Sequence, residues 1–305
     1  MRLLLTGASG QLGSYLLREC RRHSQTVVAW SGRQQGELFG YPLRPLDIAE
    51  PDALAQAFRD ASPDGIVHTA ALAAVSDCQR DPERAQRINA RGSAVLAELA
   101  DRAKVPLVHV STDMVFDGQH APYREGDAVA PLSIYGRTKA EAERAVLAYP
   151  RNTVVRLPLM FGPSITGRPS FFDRQIQALR QGQRITLFHD EWRTPLDLQA
   201  AARALLALAG GNGVAPAGPF GLLHVGGPQR MSRLEMGRRL AAFLGCDPSA
   251  IAAASRTSVA AAEPRPADLS LDSLRWRSLF GSQEWPAWEE ALSQLLPGSS
   301  GAFKM

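Results

Sequence analysis

Short apolar runs alternate with amphipathic segments along the first half of the chain. Four such runs are bounded by turn-forming or polar residues and predict buried strands: 2–6, 26–30, 65–69 and 105–110. The segments between them repeat apolar residues at helical spacing, as Leu12, Leu16 and Cys20 do. Alternating strands and helices predict an α/β protein with a Rossmann-type, doubly wound parallel sheet, whose ligands bind at the carboxyl ends of the strands.

The pattern changes after Pro158, where proline and glycine become frequent. Helical segments at 171–181 and 198–209 are followed by short apolar runs near Ile185 and Leu222. We therefore predict a Rossmann domain at 1–160 and, at 161–305, mainly a smaller C-terminal α/β lobe that binds substrate. Some segments of this second part are expected to return to the first domain.

A glycine turn follows the first predicted strand and opens the first helix. Glycine lets the backbone turn sharply, and it lets a dinucleotide pyrophosphate approach the amides of the helix N-terminus. The turn lies at the first strand and a second strand follows it, which strengthens the prediction. The candidate residues for this contact are Gly7, Gly10, Gln11, Leu12 and Gly13.

The end of the second strand bears on which dinucleotide is preferred. An acidic residue there holds the ribose 2′-hydroxyl of NAD, whereas an arginine accommodates a 2′-phosphate. This chain has Ser31 and Arg33 there and no carboxylate. The sequence therefore favours NADPH over NADH, with a surface role for Arg33 as the alternative.

A Tyr-x-x-x-Lys pair follows the fourth strand. Thr112 comes directly after that strand, and Tyr135 and Lys139 share one face of a predicted helix. The chain has only three lysines and five tyrosines, so about 0.05 such pairs are expected by chance. A phenol beside an ammonium is a candidate acid–base pair.

Three segments carry a resemblance to a known family: STDMVFDG (111–118), APYREGDAVAPLSIYGRTKAEAE (121–143) and RLPLMFG (156–162). They resemble the extended short-chain dehydrogenase/reductases, and specifically the dTDP-4-dehydrorhamnose reductase family. The likeness spans nearly the whole chain. It implies NADPH-dependent reduction of the C4 ketone of a nucleotide-linked deoxysugar, a reaction of dTDP-rhamnose biosynthesis.

The resemblance also implies roles for single residues. Tyr135 would donate a proton to the developing alkoxide, and Thr112 would bind the same oxygen. Lys139 would lower the pKa of Tyr135 and hold the nicotinamide ribose. The remaining implied cofactor contacts are Asp47 and Ile48 at the adenine and the small Ala70 and Ala71 beside the diphosphate and ribose, while Asn89 would bend its helix and help relay protons.

The predicted substrate contacts depart from the family pattern. Met114 stands where the family has tyrosine, and Leu159 or Met160 where it has tryptophan. Flexible apolar side chains in place of flat aromatic ones indicate a different sugar or a looser site. We also assign Asp113 and Arg193 to the substrate. The arginines considered for a diphosphate clamp are Arg168, Arg174, Arg193 and Arg265.

Other functions remain open at this point. The regulatory beta subunit of methionine adenosyltransferase resembles the same branch, so an NADP-bound protein without activity is one alternative. A nucleotide-sugar epimerase is another. A dehydratase is disfavoured, because Asp113 is followed by Met114 and not by glutamate.

Composition narrows the picture further. The chain has 305 residues, a net charge of +4 and no strongly basic run, so nucleic acid is not an expected partner. Three scattered cysteines and the lack of a long apolar run predict a cytoplasmic protein without a membrane partner. We predict no metal at the catalytic centre, consider a homodimer compatible with the sequence, and interpret His68 as a core residue.

Overall fold

The computed structural model describes residues 1–210, 219–258, 264–281 and 285–298. In chain order the strands are β1 (Arg2–Thr6), β2 (Thr26–Ser31), β3 (Glu37–Leu38), β4 (Tyr41–Pro45), β5 (Gly65–His68), β6 (Leu107–Thr112), β7 (Thr153–Leu157), β8 (Met160–Phe161), β9 (Ile185–Phe188), β10 (Trp192–Arg193), β11 (Leu196–Asp197), β12 (Gly221–His224), β13 (Met231–Ser232) and β14 (Ile251–Ala254).

The described residues also form eleven α-helices. They are α1 (Gln11–Arg22), α2 (Pro51–Ala61), α3 (Val75–Arg80), α4 (Pro82–Ala85), α5 (Ser93–Arg102), α6 (Ile134–Leu147), α7 (Phe171–Arg180), α8 (Leu198–Leu208), α9 (Arg233–Leu244), α10 (Leu274–Phe280) and α11 (Trp288–Leu295). A π-helical turn, Gln86–Gly92, joins α4 to α5, and short 3₁₀ turns form at Asp113–Val115 and Pro248–Ala250.

Eight strands form one large sheet in the order β12-β7-β6-β5-β1-β2-β4-β3. Its strands are parallel except for β3, which pairs antiparallel with β4. Helices cover both faces, with α1 and α8 packed against one apolar layer and α2 and α5 against the other. The predicted Rossmann-type fold is confirmed.

The second half of the chain contributes to two places. Strand β12 and helix α8 lie against the large sheet, next to β7 and α1 respectively. The helices α7, α9 and α11 build a separate apolar cluster around Phe161, Phe172 and Trp288, flanked by the pair β9 and β14. Among the described residues, no helix is long and apolar enough to cross a membrane.

Candidate active site

A cavity of about 1030 Å³ runs along the carboxyl ends of β1, β2, β5 and β6. Parallel strands present their carboxyl ends at one edge of the sheet, so residues far apart in sequence meet there. Apart from Asn89, Arg168 and Arg174, the residues that the sequence assigned to cofactor, substrate or catalysis line this cavity. These residues are Gly7, Gly10, Gln11, Leu12, Gly13, Ser31, Arg33, Asp47, Ile48, Ala70, Ala71, Thr112, Asp113, Met114, Tyr135, Lys139, Leu159 and Arg193.

The glycine turn leaves no room for side chains. Gly7 has φ +68°, and a Cβ there would lie 2.7 Å from the Ala70 amide nitrogen. A Cβ on Gly13 would lie 2.1 Å from the Gly7 carbonyl oxygen. Gly10 precedes α1 without a side-chain cap, so the first amides of a twelve-residue helix face the cavity. This cradle fits the pyrophosphate of a dinucleotide.

The cavity continues over the end of β2. Ser31 is buried and its hydroxyl donates to the Gln34 carbonyl, while the side chain of Arg33 is exposed at the rim. Asp47 accepts a hydrogen bond from the Ala49 amide at 3.0 Å, and Ile48 is buried. The guanidinium of Arg33 is thus free to meet a phosphate at this end.

Thr112, Tyr135 and Lys139 are brought together by β6 and α6. Thr112 ends β6 and caps the following 3₁₀ turn, accepting from the Met114 amide at 3.2 Å. Helix α6 begins at Ser133, whose hydroxyl accepts from the Gly136 amide. Gly136 allows close packing, because a Cβ there would lie 2.2 Å from the Met114 carbonyl oxygen. The first turn of α6 therefore lies against the end of β6.

The pKa of Tyr135 is raised, opposite to the predicted direction. Burial and the nearby Asp113 carboxyl raise it, and a hydrogen bond with Thr112 opposes them without cancelling them. The Lys139 ammonium instead contacts His109, with 3.0 Å between Nζ and Nε2. The phenol therefore stays protonated across the physiological range.

Lys139 is buried and lies one helical turn after Tyr135 on α6. Burial lowers its pKa from 10.5 to about 8, and the Glu143 carboxylate one turn further along α6 opposes this shift. Glu143 is itself held by Arg156 through two hydrogen bonds of 2.9 and 2.7 Å. The lysine therefore sits between a neutral histidine and a carboxylate that is already paired.

Asp113 faces the cavity from the 3₁₀ turn. Its Oδ1 accepts from the Thr112 hydroxyl at 3.2 Å, and its Oδ2 lies 3.6 Å from Nε of Arg193. Burial raises the pKa of this carboxyl to about 6, and Arg193 opposes the shift. Asp113 thus carries a proton in part at neutral pH.

The π-helical turn positions Asn89 at the back of the site. Its Oδ1 accepts from the Leu72 amide at 2.8 Å, and its Nδ2 donates to the Leu72 carbonyl and to the Thr138 hydroxyl, both at 3.1 Å. Glycine at 92 allows this turn to lie close to the loop that carries Asp47 and Ile48, since a Cβ there would be 2.7 Å from the Ile48 carbonyl oxygen. The irregular turn links the cofactor side of the cavity to α6.

An arginine cluster lies at the far end of the cavity, formed by Arg193, Arg233 and Arg265. Glu191 pairs with Arg193 at 3.2 Å. Burial lowers the pKa of Arg233, Glu191 opposes this shift, and Arg193 and Arg265 add to it. Sequence reasoning missed Arg233 and Glu191, because neither carries a local signal beyond its position near a strand or helix end. Arg168 and Arg174 lie outside the residues that line the cavity.

The motif PYRE has a structural use. The Tyr123 hydroxyl donates to Asp117 Oδ1 at 2.6 Å and accepts from the amides of Gly118, Gln119 and His120. The Tyr123 ring stacks on Phe116 with centroids 3.9 Å apart. This tyrosine holds the VFDG turn (115–118), which follows β6. Within the described residues, no cluster of three or more His, Cys, Asp or Glu is placed to hold a metal ion.

The fold and the site define a dinucleotide-dependent oxidoreductase of the short-chain dehydrogenase/reductase class. The model of the RmlD substrate binding domain family matches residues 1–299, and the chain belongs to this family. A relative from Streptomyces antibioticus, named probable dTDP-4,6-dihydroxy-2-methyloxan-3-one 4-ketoreductase, is 32% identical over 97% of this chain and 95% of its own length. The dTDP-4-dehydrorhamnose reductase of Mycobacterium tuberculosis is 31% identical over 97% and 92%.

Solved structures agree with the family. The dTDP-4-dehydrorhamnose reductase of Clostridium acetobutylicum superposes with a TM-score of 0.82 at 25% identity, over 97% of this chain and 98% of that chain. The predicted family membership is therefore confirmed by both sequence and fold.

Proposed function

We propose that this protein uses NADPH to reduce the C4 ketone of a nucleotide-linked deoxysugar. The observation that carries the proposal is the convergence of Thr112, Tyr135 and Lys139 on the cavity that the glycine turn opens. The relatives at 31 and 32% identity are named as reductases, which supports this reaction over a regulatory subunit or an epimerase. The proposed division at residue 160 separates the part that binds the cofactor from the part that mainly binds the sugar nucleotide.

The residues would hold NADPH along the strand ends. The amides at Gly10–Gly13 meet the pyrophosphate, Arg33 meets the 2′-phosphate, and Asp47 with Ile48 borders the adenine. Ala70 and Ala71 leave space for the diphosphate and ribose. When bound, NADPH supplies the hydride that reduces the carbonyl carbon.

The chain's own residues handle the proton. Tyr135 donates its phenolic proton to the carbonyl oxygen as negative charge develops there, and the Thr112 hydroxyl donates a hydrogen bond to the same oxygen. Lys139, held behind Tyr135, provides a positive charge near the phenolate that forms. Asn89 is proposed to help return a proton to Tyr135 through the residues around Thr138.

The end of the cavity that we propose for the substrate carries both apolar and cationic side chains. A nucleotide diphosphate fits the guanidinium groups of Arg193, Arg233 and Arg265, because one guanidinium can donate two parallel hydrogen bonds to phosphate oxygens. Met114, Leu159 and Met160 offer the sugar apolar surfaces without hydroxyl groups. We propose a sugar that presents few hydroxyls to this wall. A cytoplasmic reaction and a homodimer remain part of the proposal.

NADPH oxidation with dTDP-4-keto-6-deoxy-L-mannose, generated in place, tests the function. We expect the Tyr135→Phe variant to lose about 10²–10⁴-fold in kcat, because the phenyl ring has no proton to give. Tyr149→Phe is the matched control, since Tyr149 is half-buried at the end of α6 and outside the cavity. A kcat equal to wild type in Tyr135→Phe would sink the mechanism.

A second measurement separates the remaining functions. Fluorescence titration shows whether the protein binds NADPH in the absence of sugar. Binding without turnover on this substrate would point first to a different ketosugar, tested with a 2-deoxy analogue. Binding without turnover on either sugar would favour a regulatory protein.

A further inference from the structure

Two buried polar contacts join β6 to α6 beneath the cavity. On the face of β6 that meets α6, His109 contacts Lys139 and the Ser111 hydroxyl donates to Glu143 Oε1. Alternate residues of a strand are roughly 6–7 Å apart, close to the roughly 6 Å rise between helix residues four apart. The helix and the strand are therefore joined at matching intervals, and the first contact holds the lysine of the Tyr-x-x-x-Lys pair.

The hydrogen bond between His109 and Lys139 has a defined donor and a defined acceptor. Both side chains are inaccessible or nearly so, at 0% and 2% exposure. Burial, Lys139 and His68 all lower the pKa of His109 far below its ordinary range, so the imidazole is neutral. A neutral imidazole has one nitrogen that accepts, and an ammonium can only donate. Nε2 is thus the acceptor for Lys139, and Nδ1, which has no hydrogen-bond partner, carries the proton.

His68 lies beside His109 but is engaged elsewhere. The two rings are 5.0 Å apart and occupy paired positions of β5 and β6. His68 Nδ1 lies 2.6 Å from the Thr6 hydroxyl and Nε2 lies 2.9 Å from the Ser93 hydroxyl. Both nitrogens of His68 are therefore occupied, and this residue does not compete for Lys139.

The other groups that face Lys139 do not replace the contact. Glu143 is paired with Arg156 from β7 and with Ser111. Cys78, from α3, contributes to the raised pKa of Tyr135. Among the described residues, the hydrogen bond of Lys139 Nζ is therefore the one with His109.

We propose that His109 is a positioning residue for the reaction: its neutral imidazole accepts a hydrogen bond from the Lys139 ammonium and keeps Nζ charged and fixed behind Tyr135. A buried ammonium without an acceptor loses its proton more readily, and its long side chain is free to move. The proposal rests on the proposed reductase function for its catalytic meaning, but the effect on Lys139 is measurable without any substrate.

The small number of lysines makes a direct test practical. The chain contains only Lys104, Lys139 and Lys304, so protein labelled with ¹³C at the lysine ε-carbon has three signals to resolve. A Lys139→Arg variant identifies the signal of Lys139. Its titration is then followed in wild type, His109→Leu and His109→Gln. Glutamine keeps an acceptor oxygen near the position of Nε2, whereas leucine has none.

We expect the pKa of Lys139, near 8 in wild type, to fall by about one pH unit or more in His109→Leu, since the hydrogen bond favours the charged form. His109→Gln should restore it to within a few tenths of wild type. His68→Gln is the control for removing a buried imidazole, and it should leave the pKa of Lys139 unchanged. Equal titrations in wild type and His109→Leu would overturn the proposal, as would a glutamine variant that behaves like leucine.

The pH profile gives the catalytic readout. If Lys139 must be charged, the alkaline limb of kcat/KM moves to lower pH in His109→Leu and returns in His109→Gln. If the titration of Lys139 shifts but the alkaline limb of kcat/KM does not move, only the catalytic part of the proposal is contradicted. If the wild-type protein shows no turnover, the proposed reductase function is contradicted and the hydrogen bond between His109 and Lys139 is not. If His109→Leu does not fold, His109→Met takes its place, because methionine fills irregular space without a strong acceptor.

Discussion

Arg33 is exposed and lines the cavity at the rim, just after the end of β2. We expect Arg33→Ala to raise the KM for NADPH by about 10–100-fold, because a charge-assisted bond to phosphate is lost, and to leave the KM for NADH nearly unchanged. Steady-state kinetics with both cofactors measure this. Arg44→Ala is the matched control, since Arg44 is exposed on the neighbouring β4 and does not line the cavity. Equal losses with both cofactors would contradict a 2′-phosphate contact.

Asp113 makes stability depend on pH. Folding raises its pKa from 3.8 to about 6, so between these values the folded protein binds more protons than the unfolded chain. The free energy of unfolding therefore falls as the pH rises through this window and stays lower above it. We expect Asp113→Asn to be more stable than wild type at pH 7 by about 1–3 kcal/mol, with little gain near pH 4.

Thermal unfolding at the two pH values checks this prediction. The exposed Asp60→Asn serves as the control for an added amide. A variant that is equally stabilised at both pH values would show that the carboxylate charge is not the cause. Loss of activity in the stabilised variant is expected, since residues at active sites often trade stability for function.

At the scale of elements, the π-helical turn depends on Asn89. Its side chain satisfies the amide and the carbonyl of Leu72 and also bonds Thr138 of α6. We expect Asn89→Ala to lower the free energy of unfolding by about 2–3 kcal/mol, because these buried groups lose their partner, and to lower kcat as well.

Urea denaturation and steady-state assays measure the two effects of Asn89→Ala. Arg87→Ala is the control, because its exposed side chain lies in the same turn. If both variants were as stable as wild type, the turn would be maintained by the backbone and not by the asparagine.

At the scale of the whole molecule, a buried ion pair in the first part of the chain contacts a strand contributed by the second part. Glu143 of α6 holds Arg156 of β7, and Nη1 of Arg156 lies 3.2 Å from Nε2 of His224 in β12. We expect Glu143→Gln to cost about 3–5 kcal/mol, since it leaves a buried guanidinium without its counter-charge.

The double variant Glu143→Leu/Arg156→Met separates charge from packing. Replacing both partners by apolar residues of similar size removes the buried charges, so we expect it to recover much of the stability lost by Glu143→Gln. Urea denaturation of the three proteins measures this. A double variant less stable than the single one would show that the pair contributes net stability.

Much of the site was predictable because its signals are local. A glycine turn after a strand, a hydroxyl at a strand end and two residues four apart on a helix follow from short-range geometry. Parallel topology then places strand ends together, which is why the residues predicted at the ends of these strands line one cavity. Arg33 could be predicted to line the cavity for the same reason, since its position relative to the glycines carries the information.

The sequence by itself thus determined the alternation of elements, and it predicted the dinucleotide cradle and the candidate acid–base pair. The tertiary structure decided which charges meet: Arg233 joins the arginine cluster, Lys139 turns toward His109, and Asp113 helps to raise the pKa of Tyr135. Charge interactions depend on distance and burial, and both are set by packing between residues far apart in sequence. No local pattern encodes them.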